Sequence, residues 1–218
     1  MDFRWDIIQT YAPLLLEGTL YTIGLSIAGI LIGSILGLLI GLGRLAKRKW
    51  ITIPLNCYVA FFRGTPLFVQ LLIVHFGVVP ELTGETNAIL AAIIALSLNA
   101  AAYIAEIFRG GIQSIDSGQM EGARSLGMSQ WQAMTYVILP QAFKRIIPPL
   151  GNEFIVLIKE SSIAAIVAAP ELTFWGRQMA AEYFRVWEPY LAAAFIYLIL
   201  TLSMSMLLNR LERRLETK

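Results

Sequence analysis

Uncharged apolar stretches of membrane length set the outline of the chain. No charged residue occurs from Gly18 to Gly43, a run longer than the ~20 residues that carry a helix across the hydrocarbon core. Ile51 to Pro80 is interrupted only by Arg63, Thr86 to Ala105 carries no charge, and Pro189 to Asn209 gives an equally clear final run. Ile146 to Pro170 is apolar too, but Glu153, Lys159 and Glu160 lower its hydropathy. The pattern predicts an all-α polytopic membrane protein, one domain over 1–218, with five transmembrane helices near 14–43, 51–80, 86–109, 146–170 and 189–209. Between the third and fourth lies a polar stretch, 116–140, with no packing reason to interrupt an oily chain.

That stretch reads as two short helices joined by a turn. Asp116 and Gln119 have the spacing of a capping box, so a helix starts near Ser117 and runs to Leu126. Gly127 suits a left-handed C-cap, a conformation glycine adopts without a Cβ penalty. Ser129 with Gln132 repeats the capping pattern, and Pro140 limits or kinks the second helix. Met120, Ala123 and Leu126, three apart, form an apolar stripe, while Glu121 and Arg124 point elsewhere. Such a stripe enters a partner's groove or lies on a membrane surface.

Composition agrees with the bilayer as solvent: 57% of the 218 residues are hydrophobic and 15% charged. A net charge of +2 gives no argument for nucleic acid. Cys57 is the only cysteine, so no internal disulfide forms, and the lone His75 supplies no metal site. Lys and Arg concentrate on the cytoplasmic side of membrane proteins. Here Arg44, Lys47, Arg48 and Lys49 follow the first span, Arg109, Arg124, Lys144 and Arg145 flank the polar loop, and Arg210, Arg213, Arg214 and Lys218 follow the last. Arg4, Arg177 and Arg185 fall on the other side. This puts the N-terminus outside and the polar loop and C-terminus in the cytoplasm. Gly29, Gly33, Gly37 and Gly41, four apart, mark a face where another helix backbone approaches closely.

Glu121-Gly122-Ala123, then Gly127, Val137 and Leu139-Pro140, resembles the cytoplasmic Glu-Ala-Ala signature of permease subunits of ATP-binding-cassette importers. The spacing is intact, with Gly122 in place of the middle alanine and Val137 in place of isoleucine. Phe62-Arg63-Gly64-Thr65-Pro66-Leu67-Phe68-Val69-Gln70 is similar to the polar amino acid branch, as are Leu150-Gly151-Asn152-Glu153-Phe154 and Lys159-Glu160-Ser161. The resemblance covers roughly Gly18 to Arg214. It implies the importer type I permease fold in a bacterial or archaeal plasma membrane. It also implies two ATPase subunits that use ATP and Mg, a second permease chain of the same or a related kind, and an extracytoplasmic substrate-binding protein. No cofactor and no catalytic residue is expected on this chain. Met120, Glu121, Gly122, Ala123, Arg124, Leu126 and Gly127 would then dock on the ATPase.

Ionisable groups at bilayer depth mark function or packing. Glu153 and Glu160 share a helix face with Leu157, with Lys159 on a neighbouring face. Asn99, Tyr103 and Glu106 form one stripe on the third span. Facing each other, Asn99, Tyr103, Glu153, Leu157, Lys159 and Glu160 would line an amino acid site. Two carboxylates against one lysine slightly favour a basic substrate, with glutamine, glutamate or cystine also open. The alternative is that these charges pair with Arg63, Arg109 or each other. Thr65-Pro66 reads as a helix start that breaks the second span near Gly64, with Arg63 as an ion-pair anchor or a substrate contact. A membrane enzyme is disfavoured by the single histidine and the lack of Gly-x-Ser-x-Gly. An ion-driven secondary transporter is the remaining competitor.

Overall fold

A computed structural model describes residues 2–46 and 48–216, all of whose regular secondary structure is helical. Lys47 and Lys218, counted among the orienting charges, lie outside the described residues. We label the helices α1 (Trp5–Gly43), α2 (Lys49–Gly64), α3 (Leu67–Thr83), α4 (Ala88–Gln113), α5 (Ser117–Ser125), α6 (130–160), α7 (Leu172–Tyr183) and α8 (Trp187–Glu216).

The five-span expectation is corrected. Among the described residues, three helices are long and apolar enough to cross a membrane: Trp5–Gly43, Ala88–Gln113 and Trp187–Arg214. The pair α2 and α3, bent by 109° at its break, raises the total to four at most. Segment 146–170 does not qualify. Glu153, Lys159 and Glu160 dilute its apolar run, and its helix gives way at Ser161–Val167 to a tight 3-10 turn.

The core is the parallel seam between α1 and α4. A Cβ added at Gly33 would lie 2.9 Å from Ala100 Cβ, and one at Gly37 would lie 2.8 Å from Ile104 and 2.9 Å from the Ala101 carbonyl. Gly41 meets the Ala105 carbonyl in the same way, at 3.1 Å. The four-residue spacing of α1 glycines thus matches a four-residue spacing of small residues on α4, and the two backbones meet in van der Waals contact. This glycine face is used within the chain. Helix α6 runs back along the seam, placing Ile146 at Gly111 and Leu157 at Gly29.

Two π-turns, Val74–Val78 in α3 and Met134–Ile138 in α6, each end two residues before a proline, Pro80 and Pro140. Proline lacks an N–H and its ring crowds the carbonyl four residues back, and a widened turn accommodates both. Pro140 therefore does not end its helix, contrary to one reading of the sequence: α6 continues to Glu160.

Candidate functional site: a projecting loop and two sets of intramembrane charge

The polar loop folds almost as its sequence dictates. Asp116 caps α5, its carboxylate accepting from Gly118 N at 2.7 Å. The capping box is not closed by Gln119, whose Oε1 instead accepts from Gln141 Nε2 at 3.2 Å and ties α5 to α6. Gly127 has φ +86°, the left-handed turn expected of it, and the Arg124 guanidinium donates to the Met128 carbonyl across that turn at 2.8 Å. Ser129 and Gln132 form the full reciprocal box that starts α6.

The apolar stripe divides. Ala123 is buried and Met120 packs against the chain's own core, whereas Leu126 is 86% exposed. The stripe therefore seats α5 on its own protein and only its end projects. Glu121, Gly122, Arg124 and Gly127 are exposed with Leu126, and a Cβ at Gly122 would meet nothing within 4 Å. Trp131 at 76% and Tyr136 at 71% exposure extend this outward surface. Sequence patterning missed both, because single aromatics in a polar stretch carry no periodic signal.

The break between α2 and α3 falls where Thr65-Pro66 predicts, but Thr65 is not the N-cap. Pro66 holds that position without a side-chain bond, and Thr65 Oγ1 donates back to the Phe61 carbonyl at 2.8 Å. Carbonyls freed by the bend are met by buried amides. Gln70 Nε2 donates to Phe62 O at 2.9 Å and Thr65 O at 3.0 Å, and Asn99 Nδ2 donates to Gln70 Oε1 at 2.9 Å and Phe62 O at 3.3 Å. Unpaired carbonyls at membrane depth would each cost several kcal/mol. Asn99, expected to line a cavity, therefore braces the bend.

Below it, Glu106 collects three guanidinium groups: Arg44 at 2.9 Å, Arg63 at 3.4 Å and Arg109 at 2.6 Å. Arg63 also sits over the Tyr103 ring, 5.5 Å from its centroid. Arg63 is thus an ion-pair anchor joining α2 to α4, and Tyr103 belongs to this cluster. Arg44 was not singled out from the sequence beyond its loop charge. It arrives from the end of α1 and also donates to Asn56 at 2.7 Å.

The second set behaves differently. Glu153 and Glu160 are half-buried and Lys159 exposed, and among the described residues none of the three side chains makes a hydrogen bond or an ion pair. Leu157, between the glutamates on the same helix, is fully buried against α1. It packs there, and among the described residues no hydrogen bond or ion pair joins the polar stripes of α4 and α6. Glu160 instead borders a small gap lined by Leu67, Leu71 and Ala92.

At the opposite end of the molecule Glu188 accepts from Arg4 N at 3.1 Å and pairs with Arg185, which also donates to the Asp2 carbonyl at 2.6 Å. Hydrogen bonding to Glu188 raises the Arg185 pKa above its ordinary value. The starts of α1 and α8 thus share one face, and the ends of α1 and α4 share the other with α5.

The fold is thus a helical bundle with membrane-length helices, a braced bend and a projecting loop. The model for "Binding-protein-dependent transport system inner membrane component" matches residues 29–217. The chain is 38% identical over 218 residues to the glutamine transport system permease protein of Escherichia coli (strain K12), covering 99% of both. It is 39% identical to the arginine transport system permease protein of Bacillus subtilis (strain 168), covering 100% of this chain and 98% of that one. A solved structure, the crystal structure of an amino acid ABC transporter with histidines, superposes with a TM-score of 0.93 at 41% identity, covering 98% of this chain and 100% of that chain. The chain belongs to the inner-membrane permease subunits of amino acid ABC importers.

Proposed function

We propose that this chain, as a single permease domain, moves a polar amino acid across the cell membrane by alternating access, driven by two ATPase subunits that bind ATP and Mg. A second permease chain completes the pathway, and an extracytoplasmic binding protein delivers the substrate. The N-terminal end faces outside, and the end bearing α5 and the C-terminus of α8 faces the cytoplasm, in keeping with the excess of basic residues there.

The observation that carries this reading is the α5 turn: an exposed surface of Glu121, Gly122, Arg124, Leu126 and Gly127 rigidly seated through Ala123, Met120 and Gln119. A docking element must transmit force, and two caps, a left-handed glycine and an arginine strut give it stiffness. Glu153, Lys159 and Glu160 are the substrate-facing groups in this proposal, since none of their side chains is ion-paired among the described residues. Arg63, Tyr103, Asn99 and Leu157 hold the walls. A pair of carboxylates favours an ammonium or guanidinium side chain, so a basic amino acid is slightly preferred over glutamine.

The test is to isolate the complex from its native membrane, identify the co-purifying subunits, and measure which amino acid stimulates its ATPase when the binding protein is present. Stimulation by arginine above glutamine is expected. An isolated complex without an ATPase would end the proposal.

A further inference from the structure

On the face shared by the N-termini of α1 and α8, an open recess of about 680 Å³ lies between the 3-10 turn, α7 and the start of α8. Its lining includes Ala165, Ala168, Phe174, Arg177, Phe184 and Tyr190. Ala168 with φ 61° and Phe184 with φ 50° are the two non-glycine residues in positive φ among the described residues, and both line this one recess. Both are left-handed helix ends, Ala168 closing the 3-10 turn and Phe184 closing α7, so two chain reversals frame the recess.

The left-handed turn at Phe184 closes α7, with Arg185 N donating to the Ala180 carbonyl at 3.2 Å, and leaves the Phe184 side chain outside the core. Its ring is 93% exposed, and Val186 at 63% and Tyr190 at 44% continue an apolar rim. Charge in the recess is unbalanced as well. Arg185 is neutralised by Glu188, but Arg177 makes a single hydrogen bond, to the Ala165 carbonyl at 3.1 Å, and meets no carboxylate among the described residues. The α7 carboxylates are turned away. Glu171 is fully buried, accepting from Thr173 N, Phe174 N and Tyr197 Oη, and Glu182 accepts from the Tyr11 hydroxyl of α1.

A free amino acid fits this chemistry poorly. Two arginines and no carboxylate line the recess, so a zwitterion's ammonium would find no counter-charge. What fits is an anionic group carried on a larger apolar surface. An arginine that shares a recess with two exposed aromatics, Phe184 and Tyr190, has the composition of a protein interface hot spot.

We propose that this recess seats an acidic side chain of the extracytoplasmic binding protein, held by Arg177, with Phe184 and Tyr190 packing around it. The inference rests on the importer reading above, which supplies the partner and the outward orientation of this face. The charge fixes register and speeds encounter, while the rim excludes water.

The complex, with its ATPases, is reconstituted in lipid nanodiscs, and ATP hydrolysis is titrated with the co-isolated binding protein loaded with amino acid. Arg177→Glu is expected to raise the half-saturating concentration of binding protein about tenfold or more, and Arg177→Lys only about twofold. Raising salt should weaken the wild type more than Arg177→Gln. An unchanged half-saturating concentration in Arg177→Glu overturns the proposal, as does equal loss in Arg177→Lys. A photo-cross-linker at Gln178, which leaves Arg177 in place, is expected to capture the binding protein. Capture of a second permease copy overturns the assignment, and so does binding of free arginine that Arg177→Gln abolishes. If the wild-type complex shows no response to loaded binding protein, the importer reading itself fails, a result distinct from every Arg177 outcome.

Discussion

Two sets of charge lie partly buried between the helices of this protein, and they are handled in opposite ways. Glu106 is saturated by Arg44, Arg63 and Arg109, which arrive from α1, α2 and its own helix. Glu153 and Glu160 on α6 have no ion-pair partner among the described residues. The difference teaches how to read an intramembrane charge. One that is paired within the chain secures the architecture, whereas one left unmet is held for something the chain itself does not provide. In the importer reading, that something is the substrate or the second permease.

The largest expected effect breaks the first set. Glu106→Gln leaves three guanidinium groups converging on an uncharged amide, and loss of the acidic partner of a partly buried pair costs about 3 kcal/mol. Thermal unfolding of the detergent-solubilised complex should fall accordingly, with poor assembly. If Glu106→Gln assembles and unfolds like the wild type, the cluster is not structural. Next, Gly37→Val should cost about 1–3 kcal/mol by overpacking, because its side chain enters the space of Ile104 and the Ala101 carbonyl. The same unfolding measurement checks it.

Glu160→Gln should leave assembly and unfolding near the wild type while amino-acid-stimulated transport drops about tenfold or more, the loss of a charge-assisted contact of about 1.5–3 kcal/mol. Equal loss of assembly and transport would put Glu160 in the same category as Glu106. Gly127→Val is expected to keep the protein in the membrane while uncoupling hydrolysis from transport, since β-branched valine resists φ +86° by about 1–2 kcal/mol. The smallest expected effect is Gly122→Ala, within about 0.5 kcal/mol of the wild type because the added methyl meets no neighbour in the chain, and fully coupled because alanine is the residue the signature has there.

The sequence made the projecting loop legible almost residue by residue, because caps and turns act over three or four positions. Gly127 and the Ser129–Gln132 box take the roles their spacing assigns, and Asp116 caps its helix although Gln119 turns to Gln141 instead of closing the box. The glycine face of α1 was legible for the same reason, as a four-residue period, although nothing in that period says which helix it meets. The span count was not legible. It rests on how a bend of 109° at Gly64 and a 3-10 turn at Ser161 redirect apolar runs that look continuous in sequence.

The charged positions were legible by residue type and not by partner. Arg63 as an ion-pair anchor follows from the cost of burying charge, but the third guanidinium comes from Arg44, far away in sequence. Asn99 and Leu157 have residue types that suit a cavity and contacts that make them bracing and packing groups. Helical periodicity gives a face and leaves its partner open.

The most direct test of the whole account is uptake into proteoliposomes carrying the purified complex, with labelled arginine and loaded binding protein outside and ATP inside. The account expects accumulation that requires ATP and the binding protein together and persists when ionophores collapse every ion gradient. Accumulation driven by an imposed ion gradient, indifferent to ATP, would contradict it.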